Sequence, residues 1–167
     1  MILAFDTYYY GDKAKTVCLA FDRWDAEQAQ EVHMGFMEQV ADYTPGEFYK
    51  RELPCILDLL GKLPYQETEA IIVDGFVFLD DDDKPGLGAH LYQALDQKIP
   101  VIGVAKTNFA SLERNKIAVL RGESAKPLYI TAIGMDAQQA AEQVTQMAGG
   151  YRFPSLLKQL DQLTKEI

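Results

Sequence analysis

Ala70-Ile71-Ile72-Val73-Asp74-Gly75 is the stretch on which the fold turns. Its apolar residues run without polar alternation, so both faces of the segment need cover. That is the signature of a parallel strand inside an α/β sheet. A second run of this kind, Val101-Ile102-Gly103-Val104-Ala105, ends on Lys106. Between them, Leu87 to Asp96 reads as a helix. Strand, helix, strand, with polar residues where the strands stop, describes the sheet edge at which α/β proteins bind ligands.

Toward the N-terminus, Ile2 to Tyr9 reads as a strand with Asp6 inside its apolar run. The turn Gly11-Asp12-Lys13 and a second strand, Thr16 to Phe21, make an antiparallel hairpin. Ala26 to Val32 is polar and reads as either a short helix or a third strand. Tyr43-Thr44-Pro45-Gly46 is a loop by its Pro-Gly pair. Leu53, Ile56, Leu57 and Leu60 then recur at helical spacing, and Pro54 places the main helix start close to itself. Toward the C-terminus, Ile117 to Leu120 and Leu128 to Thr131 form a hairpin-like pair. Asp136 reads as the N-cap of a helix to Met147. Gly149-Gly150 separates it from a last helix that begins at Pro154. The expectation is a single domain over residues 1–167, of α/β class, with a mixed sheet flanked by helices.

Composition narrows the function classes. The chain is 48% hydrophobic, ordinary for a globular protein. No apolar run reaches the roughly 18 residues of a membrane span. The opening Met1-Ile2-Leu3-Ala4-Phe5-Asp6 does not read as a secretory signal. Cys18 and Cys55 are scattered thiols, which fits a reduced, cytoplasmic protein. The net charge of -9 argues against generic binding of a polyanion. A bound metal ion inverts that local field, so a metal-centred site on nucleic acid remains open.

Three acids stand out by context. Asp6 interrupts an apolar strand, Asp74 ends another, and Glu52 opens a helix behind the Pro-Gly loop. A buried carboxylate is costly unless it is paired or faces a cation. Magnesium takes oxygen ligands and keeps several waters, so two or three carboxylates suffice to hold it. Each acid also has a plainer reading. Asp74-Gly75 is equally a strand-ending turn, Glu52 a solvated helix residue, and Asp6 a hydrogen-bonded structural acid.

The ordered set of motifs resembles the endonuclease V family along nearly the whole chain. Ala4-Phe5-Asp6-Thr7-Tyr8 is similar to the family's first strand. Tyr43-Thr44-Pro45-Gly46-Glu47-Phe48, with Arg51-Glu52 after it, resembles the Tyr-x-Pro-Gly stretch and its Arg-Glu pair. Val73-Asp74-Gly75 resembles the second acidic motif, and Gly86-Leu87-Gly88-Ala89-His90-Leu91 the helix that follows it. Pro100 to Lys106 resembles the strand that carries the family's active-site lysine. Lys126-Pro127-Leu128-Tyr129-Ile130 and Gly150-Tyr151-Arg152-Phe153-Pro154 complete the series.

The resemblance implies a ribonuclease-H-like fold and cleavage of a nucleic-acid phosphodiester, in DNA or RNA, near a deaminated base such as inosine. It implies a magnesium ion, with manganese as a substitute, on Asp6, Glu52 and Asp74. It gives Lys106 a role at the phosphate, and Tyr43, Pro45, Gly46 and Gly75 a place beside the base. Two regions depart from the pattern. A His-Pro-Arg stretch is replaced by Leu79-Asp80-Asp81-Asp82-Asp83-Lys84-Pro85, and Ala132-Ile133-Gly134-Met135-Asp136 lacks the family's late histidine. One aspartate of the 80–83 run, or Asp136, then becomes a candidate to complete a modified metal site. The plainer alternative for the acidic run is a solvated loop. These departures also leave room for a weakened family member that binds nucleic acid, a nucleotide or a protein partner without cutting.

Overall fold

The hairpin that opens the chain is long and regular, and the rest of the sheet grows from it. The computed structural model describes all residues except Tyr43, Gly46, Phe48, Ala110 and Ile167. Strands β1 (Ile2–Tyr10) and β2 (Lys13–Phe21) pair antiparallel from Ile2↔Phe21 to Tyr10↔Lys13. Gly11 sits at φ +62 in the turn between them, a conformation that a side chain disfavours. β3 (Glu31–Met37) adds antiparallel to β2. Of the ambiguous polar segment 26–32, only Glu31 and Val32 belong to a strand; residues 26–30 are neither helix nor strand. The outer face of β3 carries Val32, Met34 and Phe36, all exposed.

β4 (Ala70–Asp74) runs parallel to β1, and β5 (Val101–Ala105) parallel to β4. β7 (Leu128–Ile133) returns antiparallel to β5, and β6 (Ile117–Val119) pairs with it at the edge. Among the described residues the sheet has seven strands in the order β3-β2-β1-β4-β5-β7-β6. It is the mixed sheet that the sequence implied, with the apolar runs β4 and β5 in its middle.

Helices cover both faces. Leu3, Phe5, Ile71, Val73 and Val101 point toward α1 (Tyr49–Leu60) and α2 (Leu87–Ala94). Ile2, Ala4, Ile72, Ile102 and Val104 point toward α3 (Ala137–Gln146) and α4 (Ser155–Thr164). This two-sided burial is why the central strands lack polar alternation. α1 begins five residues before Pro54, earlier than the proline suggests. The turn before it already coils the chain, with Glu47 N–H donating to Thr44 and Lys50 N–H to Glu47. Asp136 caps α3 as expected, accepting the Gln139 N–H at 3.2 Å.

Candidate active site

Strand alternation decides where the polar residues go. On β1, Ile2 and Ala4 face α3 and α4 while Leu3 and Phe5 face α1 and α2. A period of two therefore aims Asp6 at the α3–α4 face. Counting on from Ile72 sends Asp74 the same way, and from Val104 it sends Lys106 there. Asp6, Asp74 and Lys106 line one cavity of about 20 Å³, closed by Phe153, Leu157 and Leu160. That is room for roughly one water-sized sphere.

The electrostatics of the cavity are those of crowded carboxylates. One oxygen of Asp6 accepts the Thr7 N–H at 2.9 Å. Burial, and then the charge of Asp74, pushes the Asp6 carboxyl up to about 7, against the pull of that hydrogen bond and of Lys106. Asp74 keeps an exposed side chain by surface area, yet protein crowds its carboxyl end. That crowding raises its pKa first, Lys106 pulls it down, and Asp161 pushes it up.

Glu52 comes from the first turn of α1, in the other helix layer but at the same end of the sheet. It does not line the cavity. It is buried, 7% exposed, and burial followed by the charges of Asp6 and Asp74 raises its pKa well above the ordinary glutamate value. Its neighbour Arg51 lays its guanidinium 3.6 Å from the centre of the Tyr9 ring, fixing this turn of α1 against the end of β1.

The turn after Asp74 is built to close tolerances. Gly75 adopts φ +114, and its N–H donates to Val104 O at 3.0 Å. Two residues on, Val77 N–H donates to the buried hydroxyl of Thr131 at 2.9 Å. Gly103 lets these pieces approach, because a Cβ there would lie 2.5 Å from Gly75 O and 2.6 Å from Thr131 Oγ1. Across the cavity, the Lys106 ammonium stands 4.1 Å from the centre of the Phe153 ring. Arg152 ties the same strand end down, donating to the carbonyls of Lys106 and Pro127.

A fourth acid, Asp161 of α4, lines the cavity and was not singled out by the sequence reading. Its side chain also meets the Lys165 ammonium at 3.1 Å. The signal was present. Leu156, Leu157, Leu160 and Thr164 mark the buried stripe of α4, and Asp161 lies four residues after Leu157 on its border. The acids proposed from sequence to complete the site lie elsewhere. Asp136 is bound to its helix cap. Asp81 accepts the N–H groups of Glu113 and Arg114, and Asp80 those of Asp82 and Lys84. The 80–83 run is thus partly a brace between two loops rather than only a solvated one.

His90 stacks on Tyr49, ring centroids 3.7 Å apart, and joins α2 to α1. Pro45 is exposed in its turn. Tyr43 and Gly46, the other loop positions assigned beside the base, lie outside the described residues.

The donor set fits a hard cation. Crowded carboxylates whose pKa values burial and neighbouring acids have raised are relieved by a divalent ion, and magnesium needs only one or two of them with water completing its shell. Asp6 and Asp74 are so placed. Among the described residues, no group of three ligating side chains stands close enough to hold an ion without such waters.

Solved structures share this architecture. Endonuclease V of Ciona intestinalis, in complex with a DNA containing an inosine followed by a ribo-adenosine, superposes with a TM-score of 0.82 at 18% identity, over 99% of this chain and 84% of that one. Human ENDOV gives 0.75 at 22% identity, over 99% and 82% of the two chains. Endonuclease V of Bacillus subtilis gives 0.73 at 18%, over 98% and 77%. These likenesses establish the ribonuclease-H-like fold. No match was found among curated protein sequences. The sequence model of the Endonuclease V family matches residues 1–121, a span that contains Asp6, Glu52, Asp74 and Lys106 and stops short of Asp161. The chain belongs to the endonuclease V family of nucleases.

Proposed function

We propose that this protein is a divalent-cation-dependent endonuclease. It hydrolyses a phosphodiester of DNA or RNA near a deaminated base, inosine, and serves nucleic-acid repair in the cytoplasm. The observation that carries the reading is the convergence on one cavity of Asp6, from the middle of β1, with Asp74 and Lys106, from the C-terminal ends of β4 and β5. The inosine-containing DNA bound by the Ciona intestinalis enzyme supports the choice of base.

Magnesium, or manganese in its place, supplies Lewis acidity and an activated water when bound. Asp6 and Asp74 would hold it, with Glu52 as the third carboxylate of the set. The Lys106 ammonium lies beside the phosphate and offsets charge that grows in the transition state. Phe153, Leu157 and Leu160 keep bulk water from the cavity wall. Gly75 turns the chain beside the base, together with the Tyr43, Pro45 and Gly46 loop.

A second reading, a family member that binds without cutting, is favoured by the lack of three closely grouped ligating side chains among the described residues. Cleavage of end-labelled inosine-containing DNA and RNA, with magnesium, manganese or chelator, separates the two. Cation-dependent nicking that Asp6→Asn abolishes supports the nuclease. Binding without nicking in either cation supports the second reading.

A further inference from the structure

Beside the acidic cavity lies a larger open groove that the acids do not explain. It has a volume of about 940 Å³ and shares Lys106, Phe153 and Asp161 with the cavity. Its other walls include Tyr151, Arg152 and Lys158. In a chain of net charge -9 this composition is unusual. Three cations, Lys106, Arg152 and Lys158, face two acids, Glu123 and Asp161. Two other surface hollows are net acidic, one joining Arg51 to Asp12 and Asp42, the other joining Arg23 to Asp22, Asp25 and Glu69.

Tyr151 is the second observation. Its side chain is 76% exposed, the most exposed large hydrophobic residue among those described. An aromatic ring left this open on a folded surface has no packing role. Yet its backbone is held firmly. The buried guanidinium of Arg121 donates to Tyr151 O at 2.6 Å, to Met147 O at 2.5 Å and to Gly149 O at 3.1 Å. Lys158, one turn into α4, carries its ammonium 6.0 Å from the centre of the Tyr151 ring. A fixed, exposed aromatic beside a cation is the arrangement by which proteins hold an unpaired base and its phosphate.

We infer that the Tyr151–Lys158 groove holds a single strand of nucleic acid running away from the cleavage cavity. One unpaired base stacks on Tyr151, and a backbone phosphate lies at Lys158. The inference rests on the nuclease reading for the direction of the strand, not for the groove itself. It selects single strands, because a base inside a duplex already has both faces stacked. It does not distinguish DNA from RNA, because both present the same rings and phosphates.

The test is binding of labelled inosine-containing strands to the full chain carrying Asp74→Asn, which removes turnover from the measurement. The arms are single-stranded DNA, single-stranded RNA and the blunt DNA duplex. Tyr151→Ala is expected to weaken both single-strand arms by about tenfold, while Tyr151→Phe stays within about twofold of the parent. Lys158→Gln should reduce the slope of log affinity against log salt by about one. The melting temperature of the Tyr151 variants should match the parent, since the ring is exposed. Unchanged single-strand affinity in Tyr151→Ala overturns the inference, as does an equal loss on the duplex or an equal loss in Tyr151→Phe. A parent protein that cuts inosine strands while ignoring Tyr151 refutes the groove and leaves the nuclease standing. A parent that never cuts but binds single strands through Tyr151 does the reverse.

Discussion

Asp6 and Asp74 face each other one step beyond Phe5↔Val73, the last register pair of the parallel strands β1 and β4. Both point to the α4 face, and the field of Asp74 adds to burial in pushing the Asp6 carboxyl up to about 7. The pair is therefore a site of stored repulsion, and what relieves it can be measured.

In chelator, the native state holds a proton on Asp6 across the window from its ordinary value of 3.8 to about 7. The native state then binds more protons than the unfolded chain, so this contribution to stability falls as pH rises through that window and the penalty is complete above it. Asp6→Asn is expected to stabilise the metal-free protein at pH near 8 by roughly 1–3 kcal/mol, after discounting for solvent, and by nothing at pH near 4. Magnesium should raise the parent's melting temperature at the higher pH and leave Asp6→Asn unmoved. Thermal melts in chelator and in magnesium at both pH values check this. Equal metal-induced shifts in parent and variant would remove Asp6 from the metal site.

Lys106→Ala should lower the cleavage rate by about a hundredfold, with the melting temperature unchanged, because its ammonium lines the cavity from an exposed position. Single-turnover cleavage alongside a thermal melt reads both quantities. A rate equal to the parent's reduces Lys106 to a lysine resting on Phe153.

Gly103→Ala should destabilise the fold by about 1–3 kcal/mol. Its new methyl group meets Gly75 O at 2.5 Å and Thr131 Oγ1 at 2.6 Å. The neighbours cannot yield without disturbing the Asp74–Gly75 turn, so cleavage should fall further than stability alone explains. Denaturant unfolding and activity measured well below the unfolding midpoint separate the two losses. An unchanged midpoint would mean the turn is looser than the geometry shows.

The acidic run is best tested at Asp82. Asp80 and Asp81 accept backbone hydrogen bonds, and Asp83 accepts one from the Asn115 side chain at 2.7 Å. Replacing them alters the loop as well as its charge. Asp82 is exposed, so Asp82→Asn mainly removes charge. Affinity for inosine-containing strands should rise by about twofold at low salt, and the gain should fade as the Debye length shrinks to roughly 8 Å at physiological ionic strength. No gain at any salt concentration would mean the run does not repel the strand.

The fold was legible because its centre obeys simple rules. Short uninterrupted apolar runs at Ala70–Val73 and Val101–Ala105 read as strands covered on both faces, and the acid and lysine that follow them fall at one sheet edge. The strand Glu31–Met37 was harder to place. It lies at the sheet edge, and its period-two alternation of Val32, Met34 and Phe36 begins only where the ambiguous polar stretch ends. The start of α1 was misplaced because Pro54 is a weaker stop than the preceding turn is a start. Asp161 went unnoticed for another reason. An acid on an amphipathic helix is ordinarily solvated, and only the crossing of α4 over β1 turns this one toward Asp6.

That crossing has a consequence in time. α4 packs across β1 and β2, and the buried ammonium of Lys15 on β2 donates to the carbonyls of Leu163 and Glu166 at the helix's far end. During synthesis β1 and β2 thus wait for a helix made about 150 residues later, an interval on the order of ten seconds or more at roughly 5–20 residues per second. Until then Asp6 lies on an uncovered sheet face and the cavity has no α4 wall. A chain stalled before α4 is made carries Asp6 and Asp74 without the wall that Leu157, Leu160 and Asp161 set over them.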